Sequence, residues 1–233
     1  MSLTQGAPDP GASEPGAGSG DSRPDAPRPD ADGQGQDPQH PPSPGEFYRA
    51  AWTFYLVLAV LGILWLGYSA GTLELELFFN PDRWWIDLAL GLASGGILIL
   101  GWSFLRDQFA SMRRVEFVIR ETCGELDRSE IIAIALISGF SEELFFRGAM
   151  QMSWGWPWAV VIFGLLHIGP ERSFRIWTLF ALIAGGLFAG VTLWTGNILA
   201  AIVGHVLVNG VNMWRLMNSP PEDLGAEAPG GLW

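Results

Sequence analysis

Three short segments of this chain carry residue types that can move protons, and each lies in an apolar run. The first is Ser141-Glu142-Glu143-Leu144-Phe145-Phe146-Arg147-Gly148. Two carboxylates and a guanidinium among apolar neighbours are costly to bury unless they are paired or wetted. Glu143 and Arg147 stand four apart, so on a helix they share a face and can pair. Glu142 points about 100° away from Glu143 on the same helix. One acid can then serve structure while the other stays free for proton transfer. The second segment ends Phe163-Gly164-Leu165-Leu166-His167, and the third is His205-Val206-Leu207-Val208-Asn209, with an imidazole and an amide on one face. Taken singly, a buried ion pair, a histidine at a helix end and one His/Asn pair are ordinary structural features. The second acid beside the ion pair is what points to function.

The elements that must position these groups are membrane-spanning helices. Uncharged or nearly uncharged runs cover Ala50–Leu73, Trp84–Leu105 (with Asp87 near one end), Ile131–Gln151 and Pro157–Ile168. The run from Ile176 to Trp214 is too long for one span, since about 20 residues suffice. Thr195-Gly196-Asn197 is its turn. The expected fold is all-α: a polytopic membrane helical bundle of six spans with the site inside it. Depth agrees with a shared site. Glu142 lies eleven residues before Ser153, and His167 eleven after Trp156. At 1.5 Å per residue both sit roughly 16 Å below that outer turn. His205 and Asn209 lie roughly 12 and 18 Å below the turn at Asn197 by the same rise. Ionisable groups at one level inside a membrane are a functional site by default.

Composition narrows the alternatives. Residues 1–46 are rich in Pro, Gly, Ala and Asp, and residues 218–233 are similar; both are expected as disordered tails around a membrane domain at 47–217. No secretory leader is expected, because no basic segment precedes the first apolar run. The net charge of −11 argues against nucleic acid, which requires a basic face. The single cysteine, Cys123, excludes an internal disulfide and is expected to be inert. Phe109, Met112, Val115, Val118 and Ile119 have near-helical spacing, which suits a helix on the inner membrane surface or a soluble linker helix. Gly186 with Gly190, and Ala181 with Gly185, are small pairs that could let helices approach closely.

The order Glu-Glu-x-x-x-Arg, Phe-x-x-x-His, His-x-x-x-Asn, on separate helices across 129–216, resembles the CPBP family of intramembrane proteases, which includes the type II CAAX prenyl endopeptidases. The resemblance implies that Glu142, working with His167, activates a water, that His205 and Asn209 stabilise the oxyanion, and that Glu143 and Arg147 support them. These roles are chemically coherent, since peptide hydrolysis requires a base beside the water and donors where negative charge develops. The implied substrate is a membrane-associated protein or peptide, and the implied setting is the lipid bilayer of a prokaryotic plasma membrane. Alternatives are a non-hydrolytic scaffold or bacteriocin-immunity protein of the same fold, and a proton pathway. The absence of an inverted repeat weighs against transport. No cofactor is expected. Zinc held by Glu142, His167 and His205 is the alternative, because two histidines and a carboxylate are a common catalytic zinc set. Asn209 suits an oxyanion donor better than a ligand.

Arginine placement orients the bundle. With both termini cytoplasmic, the inner stretches hold Arg49, Arg106, Arg113, Arg114, Arg120, Arg128, Arg172, Arg175 and Arg215, while the outer loops hold Arg83. Trp84, Trp85, Trp154, Trp156, Trp158 and Trp194 fall at the expected outer ends, as an aromatic belt would. Reporter fusions after Asn80, Gly155 and Gly196 are expected to read external, and fusions after Arg120 and Arg172 internal. A reversed or odd pattern overturns the topology.

Overall fold

A computed structural model describes residues 45–70, 74–220 and 223–224. The expected N-terminal tail, apart from its last two residues, and most of the C-terminal one lie outside the described residues. The elements are helical throughout: α1 (Glu46–Ala70), a 3₁₀ turn (Leu75–Leu77), α2 (Trp84–Gln108), α3 (Ala110–Cys123), α4 (Arg128–Glu143), a π segment (Leu144–Met150), α5 (Gln151–Trp154), α6 (Trp156–Leu165), α7 (Phe174–Thr195) and α8 (Leu199–Asn218).

Local chemistry sets these boundaries. Asp127 caps α4 by accepting from the Glu130 N–H at 2.9 Å, and Glu130 accepts the Asp127 N–H in return. The Ser129 hydroxyl and the Glu130 N–H together hold the Asp127 carboxyl below the usual carboxylate range. Pro157 stands at the start of α6, where a missing N–H is no loss. Gly196 ends α7 at φ 72°, a left-handed conformation that favours glycine, so the turn expected at residues 195–197 is present.

Four helices, α1, α2, α7 and α8, are long and apolar enough to cross a membrane. Their outward faces carry large apolar side chains such as Leu56, Leu64, Leu100, Ile183 and Leu193, which water would not tolerate as a continuous surface. The six tryptophans assigned to the outer belt are all exposed. These features mark an integral membrane protein. The other two expected spans differ in kind. The third runs without a break from α4 through the π segment into α5, 27 residues or roughly 40 Å. The other is α6, whose ten residues are shorter than a crossing requires. Length and composition therefore mark four crossings where six were expected. The shortfall arises because one remaining segment is interrupted by charge and the other is short.

Helix α3 is neither a free surface helix nor a loose linker. Met112 and Val115 are fully buried in a core cluster with Leu98, Trp102 and Phe188. Arg114 forks onto Glu171 of the α6–α7 loop at 2.8 and 3.0 Å.

The close approaches are made by only some of the small residues that the spacing suggested: Gly185 lies against Phe163 of α6, where a Cβ would stand 3.1 Å from its ring. Gly186 and Gly190 have open space where a Cβ would stand. Gly91 and Gly95 of α2 instead lie against α8, where a Cβ on Gly95 would come 2.8 Å from the Gly204 carbonyl oxygen. On the opposite side of α8, Gly139 of α4 meets Val206, with its backbone N at 2.9 Å from such a Cβ. At the outer end, Asn197 donates to the fully buried Asp87 at 2.8 Å and the Arg83 guanidinium donates to the Thr195 carbonyl, tying the start of α2 to the α7–α8 turn. Gly95→Leu is expected to cost at least about 1–3 kcal/mol by overpacking and to lower the monodisperse yield in fluorescence-detected size-exclusion chromatography. Gly186→Leu is expected to leave the yield unchanged.

Candidate active site

The site is built around one carboxylate. Glu143, the last residue of α4, has no exposed surface. Its Oε1 accepts from Arg147 Nη1 at 2.9 Å and sits 2.6 Å from His205 Nδ1. The pair expected from the four-residue spacing is therefore present, and it is joined by a histidine from α8. Arg147 lies in the π segment, a winding that recurs at functional sites. Its second terminal nitrogen donates to the Gly185 carbonyl of α7 at 3.2 Å. Its guanidinium lies over the Phe163 ring at 4.5 Å. Both packing and charge explain Gly185: a Cβ there would stand 3.1 Å from Phe163 and 3.5 Å from Arg147 Nη2.

Glu142 is buried beside this pair but is not consumed by it. Its Oε2 has no hydrogen-bond partner among the described residues and lies 3.8 Å from His205 Nε2. The Tyr55 hydroxyl of α1 reaches the same side chain. The His205 ring is stacked on Phe188 at 5.5 Å between centroids, which holds its plane. With Nδ1 turned to Glu143, Nε2 is the nitrogen left to face Glu142.

The remaining two residues are placed differently. Asn209 donates its amide to the Ser138 hydroxyl at 2.9 Å, which anchors it to α4. His167 lies just beyond the end of α6. Its Nδ1 is 2.7 Å from the Phe163 carbonyl, and its ring lies 4.5 Å from the Phe163 ring. The histidine paired with the carboxylates is thus His205, whereas the resemblance had put His167 beside Glu142. Phe163 links the two, since its ring also faces His205 at 6.1 Å between centroids.

Three contributors were missed in the sequence, and Phe163 was quoted in the second motif without a role. Ser138 stands one turn before Glu142, so helical spacing could have found it. Tyr55 and Phe188 come from helices with no local link to the motifs, and only the tertiary structure brings them in. Ser141 is fully buried with its hydroxyl unpartnered, and burial pushes the Cys123 thiol up to about 12, which removes the thiolate needed for nucleophilic attack. Among the described residues, no three His, Cys, Asp or Glu side chains are gathered to hold a metal ion.

The comparisons with known proteins fall on this part of the chain. Residues 126–211, from the cap of α4 into α8, match the family model for type II CAAX prenyl endopeptidase Rce1-like proteins. The chain carries an Rce1-like domain of the CPBP family. The Rce1-like domain holds every carboxylate, histidine and amide described above. The chain is also similar to the uncharacterized protein YpbD of Bacillus subtilis (strain 168), at 34% identity over 83 residues, 35% of this chain and 42% of that protein. It thus spans less than half of that relative's length. No solved structure matches.

Arg147→Ala is expected to leave Glu143 buried without its cation and to destabilise the fold by about 3–5 kcal/mol. The measurement is folded yield and thermal midpoint in detergent. A well-folded Arg147→Ala protein overturns the pairing argument.

Proposed function

We propose that the Rce1-like domain is an intramembrane endopeptidase that hydrolyses a peptide bond of a membrane-associated protein or peptide. The observation that carries this reading is Glu142: a buried carboxylate outside the Glu143–Arg147 ion pair, with an unpartnered Oε2 3.8 Å from His205 Nε2. Glu143 also keeps an unpartnered Oε2, but its Oε1 is committed to Arg147 and His205, whereas Glu142 has no arginine on it and is the acid left to act as general base.

In this reading Glu142 takes the proton of the attacking water as its oxygen adds to the scissile carbonyl. His167 assists on the far side of Phe163. His205 and Asn209 face the oxyanion. Glu143 occupies the Nδ1 side of His205, so only Nε2 can act at the reacting centre, and it donates there when the ring carries both protons. The Asn209 amide has one N–H engaged by Ser138, which leaves the other for the oxyanion. Donation from Glu142 to the leaving amine completes hydrolysis. The two carboxylates are held at different tasks by their surroundings, one closed by Arg147 and the other open. We also read α4–α5 and α6 as a hairpin within the membrane, giving six membrane-embedded segments with both termini cytoplasmic.

One observation favours the scaffold reading, namely that His167 is not paired with Glu142. A bridging water would restore the link, and an isosteric variant separates the readings. Glu142→Gln is expected to fold normally and to lower cleavage of a membrane-peptide reporter about 10²- to 10⁴-fold, the usual worth of a general base. Exhaustive chelation is expected to leave the wild-type rate unchanged. Full activity in Glu142→Gln replaces the enzyme with the scaffold. Stoichiometric zinc whose removal abolishes activity and whose return restores it overturns the metal-free mechanism.

A further inference from the structure

A second polar site lies at the ends of α2 and α8, apart from the carboxylate cluster. A cavity of about 290 Å³ is enclosed there between the last turns of α2 and α8 and one face of α3. Its charged lining is two arginines, Arg106 and Arg215, and two acids, Asp107 and Glu116. One of each is satisfied internally. Arg106 Nε donates to Glu116 at 2.6 Å, and Glu116 also accepts from the Trp102 indole at 2.8 Å. Arg106 comes only to 4.0 Å from Asp107. That leaves Arg215, which has no carboxylate partner among the described residues and rests on the Ser103 hydroxyl, and Asp107, which is mostly exposed. Among the described residues the cavity therefore offers a cation without a carboxylate partner, Arg215, and an exposed carboxylate, Asp107, met only at 4.0 Å.

Geometry orders these groups. Ser103 and Asp107 are four apart on α2, so they share a face about 6 Å apart along the axis. Arg215, held at Ser103, thus stands one helical turn from the Asp107 carboxylate. A ligand that fits carries a phosphate at one end and an N–H donor at the other. The ends of two membrane-length helices lie at the headgroup level whichever way the chain is oriented, because both arginines fall in the last turn of their helices.

We propose that this cavity binds the headgroup of an aminophospholipid of the phosphoethanolamine type. Its phosphate sits on Arg215 and its ammonium donates to Asp107. The ligand chemistry follows from charge balance: a purely anionic headgroup would meet Asp107, and a choline headgroup has no N–H to donate to the Asp107 carboxylate. The site is independent of the proteolytic reading, since none of its residues touches the carboxylate cluster.

The test uses the full chain in detergent, with phosphatidylethanolamine, phosphatidylcholine, phosphatidylglycerol or inorganic phosphate added. The readouts are the thermal midpoint and the lipid retained through purification, measured by mass spectrometry. The expected result is a midpoint that rises with phosphatidylethanolamine more than with the other three. Arg215→Gln is expected to weaken the apparent affinity about tenfold and to lose the retained lipid. Asp107→Asn is expected to bring phosphatidylethanolamine down to the phosphatidylcholine level. Both side chains are exposed, so both variants should fold, and an unshifted midpoint without lipid checks this. An equal response to phosphatidylcholine, a stronger response to phosphatidylglycerol, or full protection by phosphate alone overturns the proposal. So does an unchanged lipid response in both variants.

Discussion

The candidate site depends on a single oxygen atom. Glu143 Oε1 holds Arg147 and His205 at once, and Arg147 reaches on to the Gly185 carbonyl. Three parts of the chain, the α4–π run, α7 and α8, are joined by this one buried chain of charge-assisted bonds. A carboxylate with no exposed surface cannot remain ionised in an apolar bundle without its cation. The ion pair therefore is the condition on which the placement of His205 rests. The aromatic rings of Phe163 and Phe188 close the sides and keep water from competing for these bonds.

That charge chain forms only because α8 can come close on two sides. Gly91 and Gly95 remove side-chain bulk on the α2 side, and Gly139 does so on the α4 side, directly against Val206 beside His205. With ordinary side chains at these positions α8 would stand off and the imidazole would not reach Glu143. The outer tie between Asp87 and Asn197 fixes where α8 begins, and so how deep His205 and Asn209 lie along it. Backbone packing and buried polar bonds thus set one geometry from different directions. The same parallel run of α2 and α8 brings Arg106 and Arg215 to one level at the other end, where the second cavity forms.

Much of this was legible in the sequence because it is local. The apolar runs, the turn at Gly196, the surface tryptophans and the partnership of Glu143 with Arg147 all follow from spacing along one helix or from the length of one run. The order of the three motifs carried the family resemblance, which residues 126–211 bear out as an Rce1-like domain. What spacing could not supply was the rotation of one helix against another. It is that rotation which puts His205 on the carboxylates and gives Asn209 to Ser138. The choice of glycines at the helix contacts was hidden for the same reason: a small-residue pair is visible in sequence, but the neighbour it faces is not, so Gly186 and Gly190 looked equivalent to Gly91 and Gly95. Residue types and their order determined which groups could react. The packing of α8 between α2 and α4 decided which of them meet, because a bond between side chains from different helices depends on the distance and rotation of both.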